Sequence, residues 1–180
     1  MACCLTVSVL AERTQPHDQA QRGEPVRFKI RRAVPDEAET LSEVARTAKA
    51  SWGYQADWLW AWRDELTITP GFIATHPVFV AVADDSVAGI VALELSAGTA
   101  CLEHLWVVPG HQRQGIGKAL VRHAIGEAAR NGARMVRVLS DPHAVDFYTA
   151  LGARLTGSRP APMPGAPDRA LPVLELSTGE

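Results

Sequence analysis

Cysteine is scarce in this chain. Cys3, Cys4 and Cys101 form an odd set, and their separation fits no zinc-ligand spacing. That excludes a disulfide framework and a cysteine-built metal centre as organising features, no metal is expected, and the thiols suit a reducing, cytoplasmic compartment. Long apolar runs are missing too. The longest, such as residues 78–83, have the length of a strand and fall far short of the roughly 18 residues of a membrane helix. Neither sign of charge dominates: 18 Lys and Arg stand against 20 Asp and Glu, a formal net charge of −2. Such a balance gives no reason to expect nucleic acid or a membrane surface as a partner.

What is present is the composition of one globular domain. A chain of 180 residues, 47% hydrophobic and 21% charged, can bury a substantial core but has little room for a second one. Residues 1–24 stand apart. Their apolar start has no basic region before it and no small-residue cleavage site after it, and residues 13–24 turn polar. They read as a poorly ordered extension rather than a secretory signal, which leaves 25–180 as the domain.

Periodicity then assigns the elements. Val26, Phe28 and Ile30 alternate with basic residues as in a half-buried strand. Pro35 opens a helix whose apolar stripe runs through Ala38, Leu41, Val44, Ala45 and Ala48. A second helix is predicted over 56–66, stopped by Pro70 and Gly71. Strands over 78–83, 87–95 and 101–108 are joined by short turns at Asp84-Asp85 and Ala97-Gly98, which makes an antiparallel meander. A long helix over 115–131 ends at Asn131-Gly132, and 135–139 is a strand, so the chain crosses over to a parallel pairing. Asp141 and Pro142 start a last helix ending near Gly152, and a strand begins at 153–156. Residues 158–172, with five prolines, read as a loop before an edge strand at 173–176. The predicted fold is α/β (α+β): a mixed, mostly antiparallel sheet flanked by about four helices.

The densest chemistry lies between the third meander strand and the long helix. A glycine-containing turn that feeds a helix offers free backbone N–H groups to an anion, and the helix dipole adds about half a positive charge there. Gly115 and Gly117 clear side chains from that approach, and Arg113 and Lys118 add mobile charge. Two familiar phosphate loops fail on residues. A P-loop needs glycine at Gln112 and Ser or Thr at Ala119; a dinucleotide fingerprint needs a small residue at Leu120. What remains is a glutamine-led pattern with glycines at its fourth and sixth positions: Gln112, Arg113, Gln114, Gly115, Ile116, Gly117.

With Leu102, Glu103, His104, Leu105, Trp106, Val107, Val108 and Pro109 before it, and Asp141, Pro142, His143, Ala144, Val145, Asp146, Phe147 and Tyr148 after it, the pattern resembles the GNAT superfamily of acyl-CoA-dependent N-acetyltransferases over residues 26–157. The resemblance implies a V-shaped splay between the fourth and fifth strands and acetyl-CoA as co-substrate. It sets the pantetheine arm against the backbone of Val107 and Val108, and the pyrophosphate on the amides of residues 112–118, namely Gln112, Arg113, Gln114, Gly115, Ile116, Gly117 and Lys118. Asp141 stands where the family commonly has a cofactor-contacting asparagine, so it joins the cofactor set.

Transfer to an amine needs a base for the nitrogen, a donor for the developing oxyanion and a proton for the departing thiolate. The resemblance makes Tyr148 the general acid, and an ordinary phenol pKa of about 10 keeps it protonated at neutral pH. Glu103, or a water, is the base candidate: alternation places Cys101, Glu103 and Leu105 on one face and His104 on the other. That same alternation argues against an acyl-Cys101 route activated by His104, so direct attack is expected. The amide of Val107, left unpaired by the splay, is the oxyanion donor. Trp52, Tyr54 and Trp58 border the expected acceptor pocket as an aromatic lining for an apolar or cationic amine; core packing or a homodimer contact would use the same face. The acceptor would be a small-molecule or protein amine. The alternatives are a non-catalytic acyl-CoA-binding module and a transferase for another acyl group.

Overall fold

The computed structural model describes residues 27–179. The expected extension at 1–24 and Val26 at the first strand's start lie outside them. The chain runs β1 (Phe28–Arg32), α1 (Ala38–Ala50), α2 (Ala56–Ala61), α3 (Pro70–Thr75), β2 (Val78–Ala83), β3 (Ser86–Ser96), β4 (Thr99–Val107), α4 (Ile116–Arg130), β5 (Met135–Leu139), α5 (Val145–Ala150), β6 (Arg154–Pro160) and β7 (Ala170–Ser177). Among the described residues seven strands form one sheet in the order β1-β2-β3-β4-β5-β7-β6. Every neighbouring pair is antiparallel except β4 and β5, which α4 joins by a crossover. This is the α/β fold, splayed between the fourth and fifth strands, that the motifs implied.

Local chemistry explains most boundaries. Asp84 and Asp85 both adopt positive φ (47° and 58°), as a two-residue turn between twisted strands requires. Helix α4 closes with Gly132 at φ 78°; its N–H reaches Ala129 O and that of Ala133 reaches Ala128 O, the paired bonds of a Schellman cap. Apolar residues of α4, namely Ile116, Leu120, Val121, Ala124 and Ala128, pack on one sheet face with Leu102, Leu105, Val136 and Val138. On the other face α1 packs Leu41, Val44 and Ala45 against Val80, Ile90 and Trp106.

Three expectations are corrected. The second helix stops at Ala61, and Pro70 begins a helix instead of ending one: it sits at the first helical position, and the Thr69 hydroxyl accepts the Phe72 N–H at 3.1 Å. The proline-rich stretch is mostly hairpin, because β6 extends to Pro160 and β7 starts at Ala170, leaving only 161–169 as the connection. Finally, β7 is not an edge. It lies between β5 and β6, so β6 is the edge strand. Pro172 forfeits a single donor on the β5 side, just past the last pair Leu139 with Val173, where its carbonyl still accepts the Ser140 N–H at 2.8 Å.

Candidate active site

Strands β4 and β5 are paired only from Thr99 with Met135 to Leu102 with Val138. Beyond that point β4 continues to Val107 beside β3 alone, while the chain after β5 turns toward β7 through the Ser140 to Pro172 bond. The gap has a defined backbone lining. The Val108 N–H bonds Ala88 O at 2.9 Å, so by alternation the amides of Leu105 and Val107 face away from β3, into the gap. The Val107 carbonyl, on that same side, accepts the Gln112 side-chain amide at 3.1 Å. Both backbone groups of Val108 are engaged, since its carbonyl accepts the His111 N–H at 2.8 Å. Leu105, which the sequence reading passed over, is better placed than Val108 to bond an extended ligand. Close packing of β3 on β4 also demands Gly89, where a Cβ would lie 2.8 Å from Trp106 O.

The loop at the mouth of the gap is built as a cradle. Gly115 is the N-cap of α4 at φ 85°, and Ala119, bonded to Gly115 O at 3.0 Å, is the first amide of the closed helix. The amides of Ile116, Gly117 and Lys118 therefore precede the first turn's bonding and point outward along the dipole. Arg113, at φ 59°, and Lys118 are exposed beside them. Gln114 is tied back to Gly110 O at 3.1 Å. A Cβ at Gly117 would meet the Phe147 ring at 3.5 Å and Val107 at 3.7 Å, ordinary contact distances, so packing of α4 on α5 does not itself require glycine there.

A bulge reshapes β4. His104 pairs with Ala92 but Leu102 with Leu93, which makes Glu103 the extra residue. The face alternation flips there: Leu102 and Leu105 both enter the α4-side core, whereas Cys101 and His104 lie on the opposite face. The expected shared face of Cys101, Glu103 and Leu105 is thus corrected, as is the separation of Cys101 from His104. Glu103 remains buried at the bulge, where the two strands part. His104 still cannot activate the thiol. Its Nδ1 accepts the Trp106 Nε1–H at 3.2 Å, so the neutral ring carries its proton on Nε2 and has no lone pair left for one.

Burial pushes the His104 pKa down to about 4. An unfolded histidine, near 6.5, takes up a proton first, so the folded state is favoured fully above about pH 6.5 and loses stability as pH falls toward 4. Urea unfolding at pH 4.5 should show roughly 2–3 kcal/mol less stability from this group than at pH 7. His104→Gln, which keeps an acceptor for Trp106 but does not titrate, should flatten that part of the profile; an unchanged slope would refute the assignment.

Tyr148 lies in α5, fully buried in the α4-side core, and its hydroxyl has no hydrogen-bond partner among the described residues. Burial raises its pKa well above the phenol value. A buried hydroxyl without a partner is costly and needs a reason.

Asp141, just beyond β5, is a hub. Its fully buried carboxylate accepts Lys49 Nζ at 2.8 Å, the Tyr54 hydroxyl at 2.7 and 2.8 Å and its own cap bond from the His143 N–H at 3.1 Å. Arg169, from the β6–β7 turn, comes within 3.9 Å. Burial lowers the Lys49 pKa, and the Asp141 charge opposes that shift. Burial, with help from Asp141, holds the Tyr54 hydroxyl well above the usual phenol range. The aromatic cluster closes around these charges. Lys49 Nζ sits 4.3 Å from the Trp62 ring, 4.8 Å from Tyr54 and 5.4 Å from Trp52, and Arg169 lies over Trp62 and Trp58 at 5.1 and 5.7 Å. Trp58 also donates to Pro164 O at 2.9 Å, pinning the turn onto α2. The ring faces of Trp52, Tyr54 and Trp58 thus meet cations of the chain itself. Sequence reasoning missed Lys49 although a signal existed: it follows Leu41 and Ala45 at helical spacing, on the buried stripe of α1. Arg169 had no local signal.

Among the described residues, no helix is long and apolar enough to cross a membrane and no cluster of three or more His, Cys, Asp or Glu side chains could hold a metal. A mixed sheet split past its fourth strand, with a glycine-capped helix at the mouth, defines an acyltransferase type of fold. The profile of the acetyltransferase (GNAT) family matches residues 38–153, more than half of the chain, and the protein belongs to that family. No curated protein matches the sequence. Among solved structures, the chain is similar to the PaiA N-acetyltransferase of Thermoplasma acidophilum in complex with coenzyme A, at 21% identity over 84% of this chain and 99% of that one, TM-score 0.65. It is similar to the ribosomal-protein-S18-alanine N-acetyltransferase of Escherichia coli, at 18% identity, 86% and 96% coverage and TM-score 0.65. A GNAT family acetyltransferase of Brucella melitensis in complex with acetyl-CoA shares 21% identity, 86% and 90% coverage and TM-score 0.58.

Proposed function

We propose that the protein is an N-acetyltransferase that moves an acetyl group from acetyl-CoA to a primary amine of a small molecule or protein by direct attack. The observation that carries the reading is the Tyr148 hydroxyl, buried and without a partner in a member of this family. Three features fit a CoA thioester: the outward amides at the start of α4, the gap-facing amides of Leu105 and Val107, and that hydroxyl. Residues Gly115, Ile116, Gly117 and Lys118, with Arg113, would hold the pyrophosphate; the Gln112 side chain would brace the loop through Val107 O. Asp141 would serve the site as the hub that fixes its acceptor side, and Trp52, Tyr54 and Trp58 as the wall around it.

Acetyl-CoA supplies the acetyl group as a thioester, whose C–S bond breaks as the C–N bond forms. Glu103, directly or through a water, takes the proton that the amine loses. The Val107 N–H donates to the carbonyl oxygen as charge develops on it. Tyr148 donates a hydrogen bond to the departing sulfur. With its pKa raised above that of a thiol, about 8.5, complete proton transfer from it is uphill, so its contribution is hydrogen bonding to the developing thiolate rather than full ionisation. The scarce cysteines suit a cytoplasmic setting.

The test is calorimetric binding of CoA together with thiol release from acetyl-CoA across a panel of amines. Gly115→Val, whose φ of 85° a β-branched residue resists and whose Cβ meets no protein atom within 4 Å, should leave the fold intact but weaken CoA binding by roughly 10-fold or more. Unchanged affinity would discard the loop assignment.

A further inference from the structure

An amine acetylated near neutral pH gives up two protons, because it arrives as an ammonium ion. One must leave before nitrogen has a lone pair with which to attack. The other leaves as the C–N bond forms; it is the one that Glu103 takes, and in the net reaction it ends on the thiol of CoA. The first goes to solvent. Glu103, buried at the bulge, is poorly placed to deliver it there.

The α1 side of the gap holds an exposed base. The Lys49–Asp141 bond ties the end of α1 to the end of β5. Trp52, two residues past α1, starts on the face opposite α4 yet packs against the α4-side core that contains Leu105, Val107 and Tyr148. The sheet divides those faces wherever β4 and β5 are paired, so Trp52 reaches that core through the gap beyond Leu102 and Val138. His143 meets the Trp52 ring edge-on, with centroids 5.6 Å apart and planes at 85°, and meets the Tyr54 ring at 5.8 Å. Its backbone N–H is held by Asp141 at 3.1 Å, and its neighbour Ala144 is buried in the same core as Tyr148. Backbone and ring are both fixed, while the side chain stays exposed. His143 therefore stands at the mouth of the gap on the side away from the α4 loop, where an acceptor can approach the thioester without crossing the cofactor's path.

We propose that His143 takes the first proton from the acceptor's ammonium group and hands it to water, leaving the second to Glu103. The proposal rests on the transferase reading and adds a residue to its proton path. One ammonium N–H bond breaks as an imidazole N–H bond forms, and the imidazolium returns to imidazole by losing that proton to solvent. The charged and titratable groups around it do not compete. Lys49 and Asp141 are bonded to each other, Arg169 is a cation, and burial holds the Tyr54 hydroxyl protonated. Asp146, three positions on, is an exposed carboxylate, and carboxylates are far weaker bases than imidazole. His104 is buried with its Nδ1 committed to Trp106.

The experiment follows thiol release by the full chain from acetyl-CoA with tryptamine, phenethylamine, putrescine and Nα-acetyl-lysine as a function of pH. For each amine that reacts, kcat/KM should be flat from about pH 7.5 to about 9, where free imidazole and ammonium coexist. His143→Gln should lower it roughly 10²-fold near neutrality. The variant's kcat/KM should then climb about tenfold per pH unit, following the small fraction of neutral amine. Imidazole added to His143→Ala should restore turnover, and CoA affinity by calorimetry should be the same in all three proteins. Parallel pH profiles for His143→Gln and the unaltered chain, or no rescue of His143→Ala, would overturn the role and leave the ring as packing for Trp52. No thiol release from any of the four amines, or no CoA binding, strikes the transferase reading itself.

Discussion

Asp141→Ala should cost roughly 3–5 kcal/mol of stability, because it takes the bonded carboxylate away from a Lys49 ammonium whose side chain is only 2% exposed. For a domain of this size the melting temperature should fall by roughly 6–20 °C. The loss comes mainly from leaving a buried ammonium without its carboxylate and less from the pair's own worth. A double variant, Lys49→Met with Asp141→Leu, should therefore recover much of what the single change loses. Thermal denaturation of the three proteins checks this. A double variant no better than Asp141→Ala would mean that the carboxylate's other bonds, to Tyr54 and the His143 amide, dominate.

The second large effect falls on turnover. Tyr148→Phe removes one buried oxygen that has no protein partner, so folding should be unharmed or slightly improved. Thiol release should nevertheless drop by roughly 10²-fold, the scale of losing one preorganised donor to a developing charge. CoA affinity should barely change, because the phenol is required only as the sulfur gains charge. The pH–rate profile should show no Tyr148 titration near neutrality, since burial holds the hydroxyl protonated. Equal loss of CoA binding and turnover would reduce Tyr148 to a packing residue.

Local chemistry was the legible part of this molecule. Asn131 and Gly132 marked the end of α4, Asp84 and Asp85 marked a hairpin, and the loop through Gly115 was readable from three neighbouring motifs in order. What escaped the sequence depended on partners far along the chain. The bulge at Glu103 arises from pairing with β3, and a period-two reading has no means of detecting it. Insertion of β7 between β5 and β6 is a choice of neighbour that strand propensity does not encode. At the site, the carboxylate of Asp141 was visible as a helix cap, but its bond to Lys49 spans 92 positions. The tryptophans looked like an open cation-binding wall for the same reason: Lys49 and Arg169, which fill it, come from α1 and from the β6–β7 turn.

That hub sets the size of the exchangeable unit. Lys49, Tyr54, Asp141 and Arg169 come from four separate stretches of chain and are tied to one another by bonds and charge. A grafted hairpin lacking Arg169 would leave the Trp58 and Trp62 faces without their cation, and a transplanted first helix lacking Lys49 would leave the buried Asp141 carboxylate without its ammonium, however well either backbone fitted. Recombining this scaffold with relatives to change its substrate would have to move all four positions together, whatever boundaries the helices and strands suggest.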